Sequence, residues 1–162
     1  MHNREDLFVK MALDAWTSYI KRTDALFQAL SNDELMNEVA PERNRGIYLL
    51  GHLTCVHDRM LPLLGLENQR HPDLDNIFHD VPDKSVPILP AAAELRNYWS
   101  EVNESLEKHF ERLSPIEWFQ KHAAVSAEDF EKEPHRNRLN VVINRTNHLA
   151  THFGQLIFLK SR

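Results

Sequence analysis

The feature that most constrains this chain is where its prolines fall. Apart from Pro62 they stand at Pro41, Pro72, Pro82, Pro87, Pro90, Pro115 and Pro134, leaving four long stretches free of proline and nearly free of glycine. Nothing in such a stretch breaks a helix, and each carries apolar residues at helical spacing. The first, from about Glu5 to Leu30, lines up Phe8, Ala12, Ala15, Tyr19, Leu26 and Leu30, with Trp16, Ile20 and Phe27 beside them. Ser31-Asn32-Asp33-Glu34 then reads as a stop followed by a new helix start. The second runs from about Arg45 to Leu64 and closes at Gly65, with Pro62 kinking or shortening its last turn. The third opens with Pro90 in its first turn and continues to about Leu113, with Leu95, Trp99, Val102, Leu106, His109 and Leu113 at alternating steps of four and three. The fourth runs from about Asn137 to Lys160. Leu66 to Leu89 is a polar, Pro- and Asp-rich crossover with room for one short turn, and Pro115 to Arg136 is a second long connection in which Ser126 starts a short helix. The expected fold is all-α: one domain over residues 1–162, a four-helix bundle with long crossover connections.

Composition narrows the function. The net charge of −5 is spread along the chain with no basic stripe, which disfavours nucleic-acid binding through phosphates. Cys55 is the one cysteine, so no internal disulfide can form and a reducing cytoplasm is expected. The charged start, Met1 to Asp6, leads into no signal-peptide core, and no apolar run approaches the roughly 20 residues of a membrane span. Of ten histidines, His2, His71, His79, His122 and His135 fall near the terminus or in loops and call for no special role.

The fourth helix holds the unusual pattern. Val141, Arg145, His148, His152, Gln155 and Leu159 follow one four-three seam, while Val142, Leu149, Phe153 and Leu156 form an apolar stripe beside it. Arg145, His148, His152 and Gln155 are therefore expected at the edge of the interior, where polar groups need partners. His148 and His152 are four apart and project from adjacent turns, a spacing that lets two imidazoles bind one ion. A third ligand must come from a facing helix. His52 and His57 of the second helix lie on different stripes, both apolar, and periodicity cannot choose between them; Gly51 beside His52 would permit close helix approach and leans toward His52.

Gly46-Ile47-Tyr48-Leu49-Leu50-Gly51-His52-Leu53, together with Arg145-Thr146-Asn147-His148-Leu149-Ala150-Thr151-His152-Phe153-Gly154-Gln155-Leu156, resembles the DinB/YfiT-like superfamily of metal-binding four-helix bundles. The likeness is sharp over the second and fourth helices and general over the others. It implies a three-histidine site of His52, His148 and His152, leaving His57 out, and homodimers formed through helix faces.

Three imidazoles leave a fourth tetrahedral position open, the mark of a catalytic site more than a structural one. Zn²⁺ or Ni²⁺ is the expected ion. Relatives that use low-molecular-weight thiols make a metal-dependent thiol transferase the leading expectation, with Arg145 and Arg59 as candidates to hold a carboxylate of the thiol or electrophile. A hydrolase using a metal-bound hydroxide is the alternative, weakened by the lack of a carboxylate on the polar seams. A non-catalytic, stress-linked bundle that binds metal or ligand is the third. Cys55 and His109 are expected to be buried or interface residues, Trp16, Trp99 and Trp118 core aromatics, and Gln155 a partner either for a histidine's second nitrogen or for backbone.

Overall fold

The computed structural model describes residues 4–160, so the expectation for His2 lies outside them. In chain order the helices are α1 (Arg4–Ala29), α2 (Asn32–Met36), α3 (Gly46–Asp58), α4 (Met60–Leu63), α5 (Asp75–Phe78), α6 (Ala92–Phe110), α7 (Pro115–Trp118), α8 (Ala127–Lys132) and α9 (Arg138–Leu156), with 3₁₀ turns at Pro72–Leu74 and Ile157–Leu159. The described residues hold no strand, only two isolated bridges.

Local chemistry sets most boundaries. Ser31 accepts from the Glu34 N–H while the Glu34 carboxylate accepts from the Ser31 N–H, a reciprocal cap that starts α2. Ser126 and Asn137 cap α8 and α9 in the same one-sided way, each accepting from the N–H three residues on. Pro62 has no N–H to offer the Asp58 carbonyl, so α3 stops at Asp58 and the chain resumes as α4. That turn ends with Gly65 at φ 69°, where Gly65 N–H bonds Pro62 O and Leu66 N–H bonds Leu61 O. Two expected limits move inward. Pro90 stands before α6 rather than in its first turn, because Ala91 is the extended N-cap, and the helix ends at Phe110. The last helix tightens to a 3₁₀ turn after Leu156.

The four long helices form a ring, α1 packing most closely on α9 and α3 on α6, with α3–α9 and α1–α6 closing it. Near one end, Val9 of α1 clusters with Leu139 and Val142 at the start of α9 and with Phe110 at the end of α6. Near the other, Leu26 and Phe27 cluster with Ile47, Leu95 and Leu156. Helices α1 and α9 therefore run parallel and α3 and α6 run opposite to them. Two parallel neighbours, α3 and α6, need a connection that travels back along the bundle, and the long crossover supplies it. Parts of that crossover, together with α2, also pack on α3. As a result every residue of α3 except His52 is buried.

Candidate metal centre

His52 of α3 reaches the α3–α9 seam where His148 and His152 emerge from α9. The Nε2 atoms of His52 and His148 are 3.2 Å apart and those of His152 and His148 3.1 Å apart. A tetrahedral set of Zn–N bonds spaces its nitrogens by about 3.3 Å, so the cluster already has coordination dimensions. The rings stand nearly edge to face, at 65°, 81° and 89° to one another.

The outer nitrogens explain the convergence. His52 Nδ1–H donates to the Phe78 carbonyl at 2.8 Å, and His152 Nδ1–H donates to Gln155 Oε1 at 2.8 Å. Each bond fixes the tautomer that leaves Nε2 as a bare lone pair, the form a metal needs. His148 Nδ1 is buried with no hydrogen-bond partner, so the protein leaves that tautomer unset; a cation at its Nε2 would set it. Burial pushes the His52 imidazole below its ordinary pKa, and burial with the neighbouring His152 takes His148 down to about 4. The His52 and His148 rings are therefore neutral, lone-pair-bearing ligands at pH 7. An all-imidazole donor set suits zinc or nickel, among other transition metals, and these three residues can hold such an ion.

Gly51 positions the clamp on His52. A Cβ there would lie 2.4 Å from Phe78 Cε1 and Cζ, so the fully buried Phe78 ring rests directly on the α3 backbone. The close approach expected at Gly51 is real, but it is made by the crossover rather than by another long helix. Tyr48 stacks parallel to His52 with centroids 6.1 Å apart, and its hydroxyl donates to the Val81 carbonyl at 2.7 Å.

The other candidates separate clearly. His57 is fully buried away from the cluster, its Nδ1–H donating to Asn103 Oδ1, and burial lowers its pKa to about 3. Cys55 bonds Asp75 instead of approaching the histidines, and burial pushes its thiol pKa up. Arg59 is ion-paired with Asp75 at 2.6 Å, which takes it out of the role of free anion anchor. Asp75 also accepts from Gln69, so this nearby carboxylate is committed to structure rather than available as a general base. Arg145 is different: half-buried one turn before His148, it makes no hydrogen bond or ion pair among the described residues. Burial and the charge of Arg59 both lower its pKa. Gln155 is exposed rather than interior, yet makes the tautomer-setting bond. His109 is half-buried beside Glu67, and Trp16, Trp99 and Trp118 are buried.

Comparison with known families fits this geometry. A family model of the DinB superfamily matches residues 15–156, which span all three histidines. The chain belongs to the DinB superfamily. No curated protein matches it. Within the superfamily, the cluster of His52, His148 and His152 fits a metal-binding member. Sequence reading missed the Phe78 carbonyl and Arg59's partner Asp75; both come from the irregular crossover, where periodicity carries no signal.

Proposed function

We propose that the protein is a metal-dependent transferase acting with a low-molecular-weight thiol, with His52, His148 and His152 holding zinc or nickel. The observation that carries the reading is the convergence of three Nε2 atoms, two of them held as lone pairs by the Phe78 carbonyl and Gln155. Held by His52, His148 and His152, an ion of this class would supply the Lewis acidity that favours the thiolate form of a coordinated thiol. The chain's own residues supply the rest. Arg145, a half-buried guanidinium with no acidic partner, is available to take a carboxylate of the thiol or of its electrophile. Arg59 stays with Asp75 and orders the crossover. A hydrolytic use of the same site lacks a free general base among the nearby carboxylates.

The exposed Leu7, Phe8 and Met11 on one side of α1, at 51%, 51% and 61% exposure, support a homodimer. The acidic net charge argues against nucleic acid as a partner, and no helix among the described residues is long and apolar enough to cross a membrane. A cytoplasmic location agrees with the lone buried cysteine.

Metal analysis of the purified protein, followed by a conjugation screen pairing glutathione, bacillithiol and mycothiol with electrophiles, tests the proposal. Chelation and His148→Ala should each abolish conjugation. Activity retained in either case ends the transferase reading, and turnover of esters or amides without thiol would replace it with hydrolysis.

A further inference from the structure

The charges around the three histidines do not balance for a divalent ion. His52, His148 and His152 are neutral donors, so such an ion brings two positive charges to the α3–α9 seam and its ligands offset neither. Arg145 adds a third. It precedes His148 on the same face of α9, three residues away, a spacing that puts side chains about 5–6 Å apart at Cβ. Burial does most to lower the pKa of His148 and of His52, and the Arg145 charge is a further cause at each. Burial also lowers the pKa of Arg145 itself, the charge of Arg59 adds to this, and no carboxylate acts in the other direction.

The chain supplies no counter-charge for this end of the seam. Helix α9 contains no acidic residue. Asp58, the acidic residue of α3, is buried and accepts from the backbone N–H groups of Arg70 and His71. From the crossover, Asp75 pairs with Arg59, Asp80 with His79 and Asp83 with Arg45. Arg145 is left half-buried, with no hydrogen bond or ion pair among the described residues. Taking a guanidinium out of water without a partner is unfavourable, and a dication one helical turn away makes it more so. An anion placed between the two relieves both.

We propose that a divalent metal and a small carboxylate bind this seam cooperatively: Arg145 repels the ion when it binds alone, and a carboxylate held by Arg145 beside the three histidines removes that repulsion. The inference rests on the three histidines holding a divalent ion, and it deepens the reading of Arg145 as a carboxylate anchor. Linkage makes the effect reciprocal, so the factor by which the carboxylate tightens the metal is the factor by which the metal tightens the carboxylate. Such a seam favours ligands that carry a metal-binding head and a carboxylate on one small molecule.

The test measures zinc affinity of the full chain by competition with a chromophoric chelator, at one pH and one ionic strength. Sodium perchlorate is the reference medium, acetate replaces it as the probe, and acetamide is the neutral control. Acetate should tighten zinc binding about fivefold or more in the parent, and acetamide should leave it alone. Arg145→Gln should bind zinc about tenfold more tightly than the parent in perchlorate, the order expected for a unit charge about 10 Å from a dication in a medium between protein surface and water. The same variant should gain less than about twofold from acetate. Arg145→Lys keeps the charge and should stay close to the parent in perchlorate, a distinction that a merely structural role would not produce. Urea denaturation checks that both variants fold, as expected for a side chain without hydrogen bonds. Zinc affinity in Arg145→Gln equal to or below that of the parent would overturn the proposal, and so would equal gains from acetate in the two proteins. Those results leave the metal centre standing where His148→Ala loses zinc. No zinc binding in any medium would overturn the proposal and the metal reading together.

Discussion

Replacing Gly51 with alanine should damage the metal centre through a residue that is not a ligand. The added Cβ would sit 2.4 Å from two ring atoms of Phe78 and 2.6 Å from a third. Carbon atoms in ordinary contact are about 3.5–4.0 Å apart, so the ring must retreat by more than about 1 Å. Phe78 is fully buried, and its carbonyl holds His52 Nδ1 at 2.8 Å. Because the buried ring has no free space to swing into, its retreat should draw the Phe78 carbonyl with it, and a shift approaching that size takes the bond beyond hydrogen-bonding reach and costs His52 the partner that fixes its tautomer. Overpacking costs about 1–3 kcal/mol, partly offset by about 1 kcal/mol from better helix propensity. Losing the partner of a metal-bound histidine costs about 10- to 100-fold in metal affinity. Gly154→Ala is the matched control: nothing lies within 4 Å of a Cβ there, although His152 is two residues away. It should stabilise the helix by up to about 1 kcal/mol and leave affinity alone. Urea denaturation and zinc titration against a chromophoric chelator measure both quantities. If Gly51→Ala binds zinc as tightly as the unaltered chain, the argument from Phe78 to His52 is wrong.

Four further outcomes follow from the same contacts. Gln155→Leu should weaken zinc binding up to about tenfold while Gln155→Glu preserves it, because only an acceptor can hold His152 Nδ1; equal affinities in competition titrations would remove Gln155 from the site. Arg145→Ala should raise KM for a carboxylate-bearing substrate about tenfold more than kcat falls, with partial rescue by Arg145→Lys; unchanged KM in steady-state assays counts against an anion anchor. Asp58→Ala should destabilise the fold by at least about 2 kcal/mol, since buried Asp58 accepts from the backbone N–H groups of Arg70 and His71, whose amides should then exchange faster. His57 makes a pH prediction. Its pKa falls from 6.5 to about 3 on folding, so the unfolded chain takes up the proton first. The stability this neutral histidine contributes is present above pH 6.5 and is lost as pH falls toward 3, by up to about 1.4 kcal/mol per pH unit. Denaturation of metal-free protein should show a flatter acid limb in His57→Gln than in the parent, and identical limbs would show that another group controls it.

The four long helices were legible because their signals are local. Pro62 ends α3 through a single missing N–H, and Ser31, Ser126 and Asn137 start helices with side chains that lie within three residues of the groups they cap. The His148–His152 pair was legible for the same reason, being one turn of one helix. His52 was not separable from His57 by periodicity, and the structure gives the cause. Periodicity reports a helix that is half wet, and α3 is dry on nearly every side because the crossover covers what its neighbours leave open. In such a helix the informative residue is the polar one at the single position that escapes full burial, and that position is His52. The crossover that hides this signal is also the element that clamps His52 through Phe78 and holds Arg59 through Asp75. The second histidine stripe of α3 was misleading only as a ligand stripe. His57 lies against Trp16 of α1 and Trp99 of α6, so its burial belongs to the α1–α6 side of the bundle.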